Sequence, residues 1–493
     1  MYVLESLVDK SVVEQSEDAY RMLETIRTYA ADKLRRAGEA EPVLRRLMRH
    51  FADLAEEHEP LLRSDQQAAS LRVFQAEYDN LMLALQTAID GGDAETAARI
   101  LGPLYWYWVM LRYDARADAY VAKVAEFGDA LPADARAAFT AIHQVGVEGG
   151  PIADPERLRA LIDDCARTGA LRRYPMLLTI VLVMAAIVGL DELLDQEIAR
   201  VRSGSDRWAI ACTFMIEAMR HRERGEQAGS ASAMAAALHA FEEAGDRWWT
   251  AKALYGLAQI HATAGDHHQA ITAYERSLTI AADLGSQDEV STRLALATVR
   301  MRAGDLTGAR HDIETAERAA LRRGQPVLEI ELLGAYAELH RRTGEVERAD
   351  HELDRLETLA RKLPQPAGIT ADRVAPARVA NLLAAGDAVR ARELLPRAVQ
   401  AAQKNRDAAS AAQLLARLLF LEGDPAGAAT ALGLSQAIRG TFDHGEIELR
   451  LLAEMLAERL GPTGYDTAYQ RGAGMTPHEA THRLTQLRVQ VPD

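Results

Sequence analysis

A glycine followed by an acidic residue recurs through the second half of this 493-residue chain, at Gly225-Glu226, Gly265-Asp266, Gly304-Asp305, Gly344-Glu345, Gly386-Asp387 and Gly423-Asp424. Successive steps are 40, 39, 40, 42 and 37 residues. A Gly-Asp pair alone carries little information, but six at nearly constant spacing define a repeat, and a repeat of this length implies stacked units rather than one closed core. The flanks agree. Five residues after each Gly stands a small residue: Ser230, Ala270, Ala309, Ala349, Ala391, Ala428. Nine after stands a larger apolar one: Met234, Tyr274, Ile313, Leu353, Leu395, Leu432. Seven before are Ala218, Ala258, Ala297, Ala337, Val379 and Ala416, and twelve after are Ala237, Ser277, Ala316, Leu356, Ala398 and Ser435.

Each feature has a mechanism. Gly takes the left-handed backbone conformation that ends a helix. The acid after it suits the positive start of the next helix. Small residues let two helices approach closely, and the large residue four positions on fills the groove beside them. Each unit therefore reads as a helical hairpin that buries its faces only by stacking. Composition points the same way. Hydrophobic residues make up 48% but aromatics only 5%, so the apolar share is mostly the strong helix formers Ala and Leu. The expected fold is all-α, a solenoid of helical hairpins.

The charge excludes some functions. At a formal −15 the chain repels phosphate backbones, so direct DNA binding is not expected. Arg35-Arg36 and Arg45-Arg46 read as solvated helix faces. Cys165 and Cys212 are too few for a disulfide framework and read as reduced core thiols in a cytoplasmic protein. The first residues lack a signal-peptide pattern. The longest apolar run, Met176 to Leu190, is too short to span a bilayer and reads as a buried helix. No phosphate loop, Gly-x-Ser-x-Gly or His-Glu-x-x-His element occurs, so no catalytic, cofactor or metal residue is assigned. His267-His268 diverge on a helix start and are read as exposed. Trp106, Trp108, Trp248 and Trp249 are read as packing residues.

The small residues, turn glycine and bulky second-helix residue together resemble the tetratricopeptide repeat (TPR) family. Two departures stand out: the period exceeds that family's usual 34, and the Pro that often closes a unit is absent. Weaker copies extend towards the N-terminus, with turns near Gly92-Asp93, Gly149-Gly150 and Gly189. The repeat array is assigned to residues 71–460 and a C-terminal helical cap to 461–493. Gly461-Pro462 breaks the array there, and Thr476-Pro477-His478-Glu479 starts a further helix.

At the N-terminus, Leu7-Val8-Asp9-Lys10-Ser11 is followed by Tyr20-Arg21-Met22-Leu23-Glu24-Thr25-Ile26-Arg27. This run suggests a short helix, a β-wing and an amphipathic helix. It resembles the end of the winged-helix module in bacterial STAND-type signalling ATPases, such as AfsR-like members of the Streptomyces antibiotic regulatory protein (SARP) family in actinobacteria. Glu77-Tyr78-Asp79-Asn80-Leu81 and Tyr105-Trp106-Tyr107-Trp108 resemble that family in the same order. Residues 1–45 are assigned to the C-terminal part of the winged helix and 46–70 to connecting helices. The resemblance implies a C-terminal fragment whose DNA-binding and nucleotide-binding domains lie before residue 1, with ATP and Mg confined to the latter.

The resemblance implies a non-catalytic sensor region that binds a protein partner or small effector in its superhelical groove, with self-association left open. A stand-alone TPR adaptor holding peptide segments is the alternative. In TPR arrays the first helix of each hairpin lines the groove, and positions ten and six before the turn Gly face inward. Those positions give Met215, Met219, Tyr255, Gln259, Leu294, Thr298 and Glu338 as candidate groove residues, with Arg222 and Arg341 beside them. Met adapts to varied apolar partners, and Arg forks onto carboxylates or phosphates.

Overall fold

The computed structural model describes residues 2–16, 19–111, 116–147, 154–286, 288–323, 326–362, 374–404 and 407–486. Helices dominate it, and the only sheet among these residues is a two-stranded antiparallel ribbon, Glu14–Ser16 with Ala19–Arg21. The fold is an all-α, TPR-like helical-hairpin solenoid.

The periodic positions explain how it holds together. All six turn glycines have φ between 72 and 87°, the left-handed region. Every residue five after, nine after, seven before and twelve after them is buried. At Asp266, Asp305, Asp387 and Asp424 the carboxylate accepts the backbone N–H three residues on, from Gln269 (3.1 Å), Gly308 (2.8 Å), Arg390 (3.0 Å) and Gly427 (2.8 Å). Glu226 and Glu345 are one methylene longer and make no such cap. They pair instead with the His five residues back, His221 and His340. The long period comes from long helices: Gln227–Ala244, Arg247–Ala264 and His267–Leu284 have 18 residues each, about five turns.

A second series of turns joins one hairpin to the next. Gly245 (φ 79°) and Gly285 (φ 66°) again lie 40 residues apart. Asp206 and Asp246 cap the helices on this edge, accepting from Ala209 N (3.1 Å) and Trp249 N (2.9 Å). The hairpins thus present two edges, one carrying the Gly225-type turns and one carrying the Gly245-type turns.

Towards the N-terminus the repeat loosens. Gly92 (φ 72°) still turns the chain between Tyr78–Asp90 and Ala94–Leu111, and Gly189 (φ 78°) ends Val183–Val188. The Gly149-Gly150 turn lies outside the described residues. Ala94–Leu111 contains Pro103 and is nearly all buried, because helices on several sides cover it. The apolar run Met176 to Leu190 forms a π-helical turn and a short helix in the core. No helix among the described residues is long and apolar enough to cross a membrane. Cys165 and Cys212 are free and buried, and burial pushes the Cys165 thiol up to about 12.

The ends differ in how they pack. Residues Tyr2–Asp9, the ribbon and Glu24–Arg36 follow one another as helix, ribbon and helix, and Glu24–Arg36 buries none of its side chains. At the other end, Ile447–Ala473 is two helices that meet at a kink, Gly461 (φ 69°, ψ 159°) before Pro462. The helix is interrupted at Gly461, where the sequence places a break. A reciprocal capping box follows: Thr476 N donates to Glu479 (2.8 Å) and Glu479 N donates to Thr476 Oγ1 (3.3 Å). The helix after it, Pro477–Gln486, buries Ala480 and Leu484 on the last hairpin.

Candidate binding cavity

The superhelix bends far enough that its last hairpin meets its first. The Gly440 backbone packs against Gly225, so closely that a Cβ at Gly440 would lie 1.9 Å from the Gly225 carbonyl oxygen. Gly445 N donates to Thr263 O (3.2 Å). Ion pairs extend this contact. Arg302 pairs with Asp443, and Arg342 with Glu446 (2.7 Å). Arg341 and Arg417 converge on Glu448 (2.9 and 3.0 Å). The segment 440–448 therefore ties together four successive Gly225-type turns. Between it and the first helices of the hairpins lies a cavity of about 1490 Å³.

Seven of the nine candidate residues line this cavity: Met219, Arg222, Tyr255, Gln259, Leu294, Thr298 and Glu338. They come from successive hairpins at equivalent positions, because stacking repeats a helix face once per unit. The other two do not. Met215 is buried in the core shared with the N-terminal helices, where Val183–Val188 packs against the first array helix. Arg341 is only 8% exposed and is taken up by Glu338 (2.8 Å) and Glu448. Its neighbour Arg342 faces the cavity instead, since one residue turns a helix by about 100°.

The near wall is apolar with polar tips. Tyr255 meets Tyr274 edge to face at 5.2 Å, and the Met234 side chain lies against Gly256, where a Cβ would come within 2.7 Å of it. Burial, and then the charge of Glu331, push the Tyr255 hydroxyl above its ordinary range. Glu331 accepts from Ser291 Oγ (2.7 Å). Burial would raise the Glu338 carboxyl, but forked bonds from Arg341 and one from Arg342 hold it at about 2. Glu338 is therefore ionised and matched.

The far wall was invisible to the repeat pattern. Asp407, Gln413, Arg439 and His478 reach the cavity from segments more than 100 residues downstream of Glu226. Their placement depends on the superhelical closure, which no local spacing reports. The 440–446 loop carries no repeat signal either. Its two glycines, Gly440 and Gly445, are the one local clue, since both meet another backbone where a Cβ has no room.

The opposite edge of the hairpins is also occupied. Asp246 is fully buried and accepts from Gln67 Nε2 (2.8 Å), Trp208 Nε1 (2.6 Å) and Trp249 N (2.9 Å). Trp106 of the N-terminal helices sits edge-on to both Trp208 (5.9 Å) and Trp248 (5.7 Å). The repeated Asp-Arg-Trp openings at 206–208 and 246–248 thus dock the N-terminal helices.

A tetratricopeptide repeat family model matches residues 197–283. That stretch covers the Gly225 and Gly265 hairpins, where the repeat is most regular. No curated protein sequence matches the chain. Among solved structures, a Rap protein complexed with competence and sporulation factor is similar at 11% identity over 85% of this chain and 98% of that one, with a TM-score of 0.43. Yeast Tom70 is similar at 10% identity over 85% and 99%, with a TM-score of 0.34. A chain of the APC/C hetero-tetramer Cut9–Hcn1 is similar at 15% identity over 93% of this chain and 92% of that one, with a TM-score of 0.31. Likeness at this level says nothing about ligands.

Proposed function

We propose that this chain is the non-catalytic sensing and protein-interaction region of a bacterial transcriptional regulator. Its cavity takes a partner segment or effector, and occupancy biases an ATPase and a DNA-binding region elsewhere in the same protein. The observation that carries the binding half of this reading is the large cavity lined by equivalent positions of successive TPR-like hairpins. The regulatory half is supported by the motif order at residues 4–30, 77–81 and 105–108, and by the helix–ribbon–helix order of residues 2–36. The junction at Asp246 and Trp106 supplies a rigid path between the N-terminal helices and the array. A ligand shifts such a system only by binding its two states with different affinity.

The test blocks the cavity. Thr298 is exposed to it, so Thr298→Trp fills space without disturbing a buried contact. A strain whose gene carries this change should fold the protein normally and lose regulation of its target transcripts. Full regulation with a folded Thr298→Trp protein would sink the reading. The chain alone should not retard promoter DNA at about 150 mM salt, because its charge of −15 opposes phosphate. The adaptor alternative is separated by the full reading frame: a phosphate-loop domain in it favours the regulator.

A further inference from the structure

The charges on the cavity wall do not cancel. Six carboxylates and four guanidiniums line it. Three of the four guanidiniums are already committed: Arg302 to Asp443, Arg342 to Glu338 and Glu446, and Arg439 to Asp443 (2.6 Å). The fourth, Arg222, stands at the mouth with its side chain 55% exposed, 3.6 Å from Glu223. Glu331 is different. Its hydrogen-bond partner is a neutral hydroxyl, Ser291 (2.7 Å), and no cation pairs with it among the described residues. It lies close enough to Tyr255 to disturb that phenol. A half-buried carboxylate on the cavity wall with no counter-charge leaves a cation's place open.

The surroundings say what kind of cation. Tyr255 and Leu294 line the same space as Glu331, and a tyrosine face also attracts a cation. Gln227, Gln259 and Gln413 line the same space, and a Gln amide both donates and accepts, which matches a peptide backbone. Nε2 of Gln413 is buried there and has no partner. At about 1490 Å³ the cavity exceeds the roughly 300–1,000 Å³ of small-molecule sites.

We propose that the cavity binds a cationic peptide segment, with a Lys or Arg on Glu331 and an adjacent apolar side chain on Tyr255 and Leu294. This rests on the reading of the cavity as a partner site and names the partner's chemistry. An acidic segment is disfavoured, because the wall's arginines are already paired and the remaining field is negative.

The experiment is selection from a random seven-residue peptide library displayed on phage, panned in parallel against the whole wild-type chain and against Thr298→Trp. Peptides retained by wild type and lost from Thr298→Trp should be enriched in Lys or Arg beside an aliphatic or aromatic residue. A synthetic copy of the best one should bind Glu331→Gln about tenfold more weakly, since a charge-assisted bond is lost. Glu331→Arg should abolish its binding and accept the same peptide with its Lys or Arg replaced by Glu. Circular dichroism confirms that each variant is folded. Cavity-dependent peptides without a cationic bias, or indifferent to Glu331→Gln, would overturn the charge assignment and leave the cavity reading standing. Peptides that bind Thr298→Trp as well as wild type, or a library that yields no binder, would overturn both.

Discussion

The two edges of the same hairpins are closed by opposite means. The edge carrying Gly225, Gly265, Gly304 and Gly344 meets the 440–448 segment through ions: Arg302, Arg341 and Arg342 against Asp443, Glu446 and Glu448. The edge carrying Gly245 and Gly285 meets the N-terminal helices through a dry cluster of Trp106, Trp208 and Trp248 around one buried carboxylate, Asp246. Apolar and aromatic packing is specific in shape and insensitive to charge. An ionic seam answers to charge, so it is the side that a charged ligand in the cavity can act on. Under the proposed function, the aromatic edge transmits and the ionic edge senses.

The largest effect should come from breaking the aromatic edge. Asp246→Ala leaves Gln67, Trp208 and the Trp249 amide without their acceptor in a site closed to water. Three buried donors left bare should cost about 3–5 kcal/mol in urea unfolding. Hydrogen exchange should rise in both 60–76 and 206–250, because the residues on the two sides share the acceptor. A loss below about 1 kcal/mol would mean that the edge is not rigid.

The sequence announced these edges unequally. Hairpin turns, tight contacts at Ala270, Ala309 and Ala349, and the bulky fillers all follow from local spacing, because a helix pair needs the same shapes in every copy. The aromatic edge was half legible: Asp206-Arg207-Trp208 and Asp246-Arg247-Trp248 showed as a repeat, but Gln67 and Trp106 lie more than 100 residues away. The ionic edge left little local trace. Its partners on 440–448 sit between repeats, and closure depends on the accumulated bend of the stack. Met215 is buried in the core shared with the N-terminal helices and Arg341 is taken up by Glu338 and Glu448, neither of which local spacing reports.

A second test compares two turn glycines. Gly304 (φ 87°) has open space where a Cβ would go, so Gly304→Ala should cost only left-handed strain, about 1–2 kcal/mol. Gly440 (φ 83°) has the same backbone but packs on Gly225. Gly440→Ala adds a backbone clash to the strain and should cost measurably more, about 2–4 kcal/mol. It should also raise exchange at 225–226 and 263–266, across the closure. Equal losses from the two would show that the closure contributes nothing to stability.

The smallest effect should come from pH, and its sign differs between the edges. Burial opposes ionisation of Glu338, but Arg341 and Arg342 prevail and hold its carboxyl at about 2, below the ordinary 4.5. A depressed carboxylate stabilises the folded state above its unfolded value, and that contribution fades as pH falls from about 4.5 towards 2. Because Glu338 faces a hydrated cavity, the loss should be on the order of 1 kcal/mol rather than the full Coulomb value. Asp246 runs the other way. Burial pushes it above its usual 3.8 despite bonds from Trp249, Gln67 and Trp208. A raised carboxyl makes the folded state hold its proton more tightly, so acid favours folding there, and the ionised form costs stability as pH rises through the folded value. Urea midpoints between pH 6 and pH 3 should therefore separate two isosteric variants. The advantage of wild type over Glu338→Gln should shrink in acid, whereas its advantage over Asp246→Asn should not. If both advantages shrink together, the two edges share one electrostatic character, and the division between a sensing and a transmitting side fails with it.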